Sequence, residues 1–235
     1  PPRSTLFPYT TLFRSQPRRG LGEKYYWWST LQPLNMKRLV FLVEGDTELL
    51  LVNKHIIPFL YRKGFNNPMQ AQKIVTNRKM NKKGGVINYE YLKNDVLRVL
   101  AQGNVIITTF LDFFRLPSSF PGYTSESGKV ELIESAVSYN LGENLNIIPY
   151  IQLHEFEALL FSDIRGFEIV VDNENEIAQL AAIIQKYDNP EDINNRPQTA
   201  PSKRLIHIFG YDKVSDGELI MDALGIEIMI SMMMI

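Results

Sequence analysis

Residues 37–48 read KRLVFLVEGDTE. The first seven form a short apolar run rich in branched side chains, closed by Glu44-Gly45, which is the pattern of a strand buried on both faces. Strands buried that way belong to sheets covered by helices on either side. A helix is expected to follow at once. Residues 47–62 space Leu50, Leu51, His55, Ile56 and Phe59 along one stripe, and Pro58 is expected to kink or end it.

The same alternation continues outward from this stretch. Residues 72–76 read as a second strand, 77–85 as a polar loop and 89–101 as an amphipathic helix through Tyr89, Leu92, Val96, Val99 and Leu100. Residues 104–111, NVIITTFL, form the next strand and stop at Asp112. A long loop over 113–127 is broken by Pro117, Pro121 and Gly122, and a helical pattern resumes over 129–139. Residues 146–153, NIIPYIQL, are a further strand that Pro149 assigns to a sheet edge or a bulge. Helical patterns follow at 154–161, at 174–187 behind the caps Asp172 and Asn173, at 202–209 and at 217–224, with a polar loop over 189–200. His55 and His207 fall within apolar helical patterns and read as core or partly buried. Strands alternating with helices predict an α/β fold, a mostly parallel sheet flanked by helices on both faces.

Composition bounds what such a fold does. The 235 residues are 45% hydrophobic and 22% charged, which suits one globular domain, or at most two small ones. Cysteine is absent, excluding disulfides, zinc-thiolate sites and a cysteine nucleophile. No apolar run reaches the length of a membrane span, so a soluble, cytoplasmic protein with no membrane partner is expected. Residues 1–35 hold five basic side chains (Arg3, Arg14, Arg18, Arg19, Lys24) against Glu23, leaving 20 basic and 25 acidic residues from Met36 onward. Such a surplus of acid argues against a generally basic coat, so any polyanion must be gripped locally.

Both ends of the chain look foreign to a domain. Residues 1–35 contain both tryptophans and no usable period, and TLFPYTTLFRS (5–15) resembles the in-frame translation of a short-read sequencing adapter. We therefore expect a non-native or disordered extension over 1–35 and a domain over 36–226. Residues 226–235, IEIMISMMMI, are hydrophobic without being amphipathic, and 227–235 are expected to be an irregular, truncated end.

Parallel sheets place ligands at the carboxyl ends of their strands, and that rule selects residues. Glu44 follows the first strand, Asp112 the strand over 104–111, and His154-Glu155-Phe156-Glu157 the last. Carboxylates delivered there suit a hard cation, Mg²⁺ or Mn²⁺. In VEGDTE (43–48), glycine permits a tight turn that leaves Glu44 before the helix and Glu48 in its first turn, while Asp46 or Thr47 reads as helix-start chemistry. Asp112 ends an otherwise apolar strand, where a carboxylate is costly unless paired or coordinated. The run HEFEALLF (154–161) is not a zinc protease motif, since Ala158 stands where the second histidine is required. Glu155 or Glu157 is then either a metal or outer-shell group, or part of a plain amphipathic helix. Lys73, Arg78, Lys79, Lys82 and Lys83 lead into Gly84-Gly85, whose backbone amides can approach phosphate oxygens; the alternative is a solvated basic loop. Lys203, in PSKRL (201–205), either neutralises phosphoryl charge or is a surface cation.

Taken in order, VEGDTE (43–48), KKGGVINY (82–89), TTFLDFFRLPSSFPG (108–122), PYIQLHEFEALLFSD (149–163), INNRPQTAPSKRL (193–205) and GYDKV (210–214) resemble domain-of-unknown-function family 4276. That family is similar to the Toprim superfamily of topoisomerases, primases and overcoming-lysogenisation-defect nucleases. The resemblance implies a Toprim-like domain that accompanies ATPases in phage-defence or mobile loci. It also implies that Glu44 is a general acid or base, that Glu48 is the additional glutamate of the nuclease-like branch, and that Asp112 is the first acid of the later metal motif. Lys203 is similar to the downstream basic residue of that branch. The second acid of the Asp-x-Asp pattern is replaced by Phe114, so Glu155 or Glu157 is expected to complete the shell.

These expectations converge on a Mg²⁺- or Mn²⁺-dependent phosphodiester hydrolase acting on DNA or RNA. The other reading is a non-catalytic effector or regulatory subunit that binds a partner ATPase. No Gly-rich Walker loop supports intrinsic ATP hydrolysis, and the chain has no room for the strand-passing domains of a topoisomerase.

Overall fold

The computed structural model describes residues 37–77, 82–84, 87–113, 116–124, 130–153, 155–193 and 199–232; the extension expected over 1–35 lies outside them. Two compact units emerge, one from the described residues of 37–111 and 115–151, the other from those of 112–114 and 152–232.

The first unit is built on a parallel sheet. Strand β1 (Arg38–Val43) is its centre, and Val40, Phe41, Leu42 and Val43 are fully buried, as the unbroken apolar run requires. β1 pairs in parallel with β2 (Met69–Lys73) on one side and with β5 (Val105–Asp112) on the other. The order is β2-β1-β5-β6, with the short strands β6 (Ile147–Ile148) and β7 (Ile151–Gln152) both paired to β5. Helix α1 (Asp46–Leu51) passes through a π-helical turn (Val52–Ile56) into α2 (Ile57–Arg62) and links β1 to β2. Helix α3 (Tyr89–Leu100) precedes β5, and α4 (Val130–Asn140) joins β5 to β6. The chain moves one way across the sheet from β1 to β2 and the other way afterwards. Right-handed crossovers therefore put α1 and α2 on one face and α3 and α4 on the other. The architecture is the α/β class expected, consistent with a Toprim-like arrangement.

Several local expectations need correction. Pro58 does not end its helix. The wider π turn just before it absorbs the missing amide, and the helix runs on to Arg62. The second strand begins at Met69, earlier than 72–76. As an edge strand with every residue half-buried, MQAQK carries no apolar alternation to announce it. The polar loop over 77–85 is in part a hairpin, because β3 (Val75–Asn77) and β4 (Lys82–Lys83) pair antiparallel. Thr47 and Asp46 do not cap α1; the cap position is Gly45, with no side-chain bond, and Asp46 pairs with Lys73 instead, at 2.6 Å.

The strand expected over 146–153 is split at Pro149-Tyr150, where Thr109 of β5 repairs the break. The Thr109 hydroxyl donates to the Tyr150 carbonyl at 2.7 Å and accepts from its amide at 2.8 Å, satisfying both backbone groups of a buried residue. Asp95, buried on α3, accepts from the Val75 amide at 2.8 Å and pairs with Arg98.

The second unit is helical. Its 3₁₀ helix over Phe156–Ser162 is buried along its whole length, not on one stripe as an amphipathic helix would be. A further 3₁₀ helix (Ile164–Ile169) carries Gly166, where a Cβ would fall 2.8 Å from Ile220 and Leu224 of α7 (Ser215–Leu224). Helix α5 (Glu174–Lys186) is capped by the Asn173 side chain, as expected. Helix α6 (Pro201–Phe209) buries Pro201 and Leu205, which turns His207 outward; it is exposed, whereas His55 is buried. Residues 227–235 were expected to be irregular, yet α8 (Ile226–Met232) is helical, with Ile226 and Met229 buried one turn apart. Among the described residues no helix is long and apolar enough to cross a membrane.

Candidate functional site

The carboxyl edge of the sheet is where sequence and fold agree most closely. Val43, the last residue of β1, lies opposite Phe110 of β5. The chain therefore leaves both strands at the same edge, with Glu44 following β1 and Asp112 closing β5. Glu44 is 4% exposed and Asp112 8%, and each has an interaction within the protein. Two acids at the ends of apolar strands are thus withheld from water, which is costly for a carboxylate unless it is paired or coordinated.

Around Glu44 the backbone is tightly drawn. Gly45 is extended, and the Glu48 carboxylate folds back over it so closely that a Cβ there would fall 2.8 Å from Oε2. Glu48 itself is half-buried in the first turn of α1. On the other side stands Gly84, with φ +74°, where a Cβ would fall 2.7 Å from the Glu44 carbonyl oxygen. Of the basic residues expected to grip phosphate, Arg78 and Lys79 lie outside the described residues, as do the side chains of Lys82 and Lys83. Lys73 is engaged by Asp46.

In the helical unit, Glu155 and Glu157 have protein partners. Glu155 Oε2 accepts from the Ser202 amide at the start of α6, at 3.1 Å. Glu157 is fully buried, and Lys213 Nζ approaches its Oε1 to 2.9 Å, an ion pair whose angle falls short of a hydrogen bond. Burial pushes the Glu157 carboxyl above its ordinary value, more strongly than Lys213 pulls it down. Lys213 also sits over the Phe156 ring, 5.1 Å from its centre. The buried Tyr211 hydroxyl has no hydrogen-bond partner, and burial, then the charge of Glu157, raises its pKa. His154 lies outside the described residues, and Lys203 is exposed on α6.

Sequence reasoning missed Lys213, Tyr211 and Asp95. GYDKV (210–214) drew notice as a motif, but nothing in it tells which buried acid a lysine will meet. Gly84 was read as one of a pair cradling phosphate; the structure gives it a second duty, close approach to the Glu44 backbone.

Oxygen donors at the sheet edge suit Mg²⁺ or Mn²⁺ in kind. Among the described residues, no group of three or more His, Asp or Glu side chains is gathered to hold a metal ion. Mg²⁺ is ordinarily held by one or two carboxylates together with waters and substrate phosphates.

A family model described as Domain of unknown function (DUF4276) matches residues 43–232, which begin at the last residue of β1 and include β5 and every candidate residue of both units. No curated protein and no solved structure matches the chain.

Proposed function

The chain belongs to this family of domains of unknown function, and from that premise we propose that it is a metal-dependent phosphodiester hydrolase acting on DNA or RNA. The observation that carries the reading is the pair of buried acids, Glu44 and Asp112, at the carboxyl ends of hydrogen-bonded parallel strands. Asp112 and Glu48 supply oxygen ligands, and Glu44 serves as general acid or base. A bound Mg²⁺ or Mn²⁺ supplies an activated water at neutral pH and neutralises charge on the phosphoryl oxygens. The β3–β4 hairpin, with Arg78, Lys79, Lys82 and Lys83 in and beside it, holds the nucleic-acid backbone by charge, while the acidic remainder of the surface keeps other contacts weak. Lys203 is assigned to stabilise charge in the transition state.

Glu155 and Glu157 are left out of the ligand set: Glu157 is wholly enclosed against Lys213, with its carboxyl raised by burial, and Glu155 is bound to the Ser202 amide at the start of α6. A partner ATPase, a cytoplasmic site of action and a role in phage defence belong to the same proposal and rest on the Toprim-like resemblance.

The test is cleavage of labelled DNA and RNA by the full chain in Mn²⁺ and in chelator. We expect cleavage in metal alone, falling by about 10²-fold or more in Glu44→Ala and in Asp112→Ala. Cleavage at the wild-type rate in both variants would remove the assigned site.

A further inference from the structure

We propose that Gly84 is a positioning residue for Glu44, because the root of the basic β3–β4 hairpin is seated directly on the peptide that follows β1. The proposal rests on the reading of Glu44 as a working carboxylate and adds to it the device that aims the side chain.

Three hydrogen bonds tie the hairpin to this point. The Ile74 amide donates to the Val43 carbonyl at 3.0 Å, and the Gly84 amide donates to the Ile74 carbonyl at 2.8 Å. The Thr76 hydroxyl donates to the Gly84 carbonyl at 3.0 Å. A continuous backbone chain thus runs from the last residue of β1 through Ile74 to Gly84. The hairpin is held at its far side by the Val75 amide, which donates to the buried Asp95 carboxylate. Gly84 closes the loop by pressing its Cα against the Glu44 carbonyl, and any side chain there would place a carbon 2.7 Å from that oxygen. The obstacle is backbone, not the flexible end of a side chain, so relief requires the backbone to shift at Gly84 or in the 44–45 peptide it presses on. That peptide carries the Glu44 side chain at one end and Gly45, under the Glu48 carboxylate, at the other. The strand bearing Lys82 and Lys83 and the carboxylate at the β1 exit are therefore one mechanical piece. Phosphate gripped by the hairpin is held in fixed register with Glu44.

Gly64 provides an internal control. Its φ of +90° is equally unsuited to a side chain, but nothing lies within 4 Å of where a Cβ would stand. Gly64→Ala introduces left-handed strain alone, whereas Gly84→Ala adds the push on Glu44.

The experiment measures kcat and KM for Mn²⁺-dependent cleavage of a labelled oligonucleotide, and amide hydrogen exchange over residues 42–49, in the full-length wild type, Gly84→Ala and Gly64→Ala. For Gly84→Ala we expect kcat to fall at least about tenfold with KM changed less than about twofold, since a small misplacement of a reacting group acts on the chemical step. Exchange over 42–49 should be faster than in wild type, and Gly64→Ala should leave both readouts unchanged. Thr76→Val, which removes one tether and adds no clash at Gly84, should move both in the same direction by less, and decides the matter if Gly84→Ala does not fold. Wild-type kcat and exchange in Gly84→Ala, or equal losses in Gly64→Ala, would overturn the proposal. If the wild type cleaves nothing, the phosphodiesterase reading fails, yet the exchange comparison still decides whether Gly84 sets the Glu44 backbone.

Discussion

At the scale of single residues, burial treats the acidic side chains of this chain in different ways. Glu157 is wholly enclosed, and its counter-charge Lys213 is 38% exposed, so the ion pair is part wet and recovers little of what enclosing the carboxylate costs. Its carboxyl is accordingly raised above the ordinary 4.5 by burial, despite Lys213. A carboxyl that is a weaker acid when folded binds more protons in the folded state over the window above 4.5. Its contribution to stability is therefore full below that pH and lost as pH rises through the folded value, the reverse of an ordinary salt-bridged acid. Glu157→Gln should abolish this loss. Denaturant unfolding near pH 4.5 and at neutrality should show the variant gaining on wild type at the higher pH. A greater relative gain at the acidic end would contradict the assignment. Asp163 shows the opposite case, its carboxyl held below the usual range by the Arg165 guanidinium beside it.

Glu44 and Asp112 were legible as candidates because each interrupts an apolar run at a strand end, a position that hydropathy alone marks. Lys213 and Asp95 were not, because a side chain's partner across the fold leaves no trace in local sequence. The five cations around the hairpin read as one basic group, but Lys73 is spent on Asp46, a pairing set by the β1–β2 register and not by composition.

Among the elements, the strands legible beforehand were those buried on both faces. β1 and β5 announce themselves by unbroken apolar runs, and both appear within a residue of where the pattern ends. β2 and β4 do not, since an edge strand of MQAQK and a two-residue Lys-Lys strand obey pairing more than burial. The strand broken at Pro149 was recognised as irregular, but its repair was not: a threonine hydroxyl substitutes for ladder bonds that Pro149 disrupts. Thr109→Val keeps the shape and deletes both bonds, leaving the amide and carbonyl of Tyr150 short of a partner. The expected cost is about 1–3 kcal/mol, read from denaturant midpoints with an unchanged m-value. A loss below about 0.5 kcal/mol would mean that those backbone groups find other partners. The 3₁₀ helix over Phe156–Ser162 escaped recognition as such because all seven of its residues are buried, so it has no polar face for a period to reveal.

For the molecule as a whole, the acidic balance outside the first 35 residues means that attraction to a polyanion is local. On the function proposed, that attraction falls to the β3–β4 hairpin, which is rooted beside the first buried carboxylate. The class of fold followed from strand and helix alternation; the division of contacts into two units did not, since no composition shift marks it. What the phosphodiesterase reading needs above all is that the acids of the sheet edge take up a divalent cation. Calorimetric titration of Mn²⁺ into the full chain, into Glu48→Ala and into Asp112→Ala measures this directly. The account predicts saturable uptake by wild type that is weakened at least about tenfold in each variant. No uptake at millimolar Mn²⁺, or uptake indifferent to both substitutions, would contradict it.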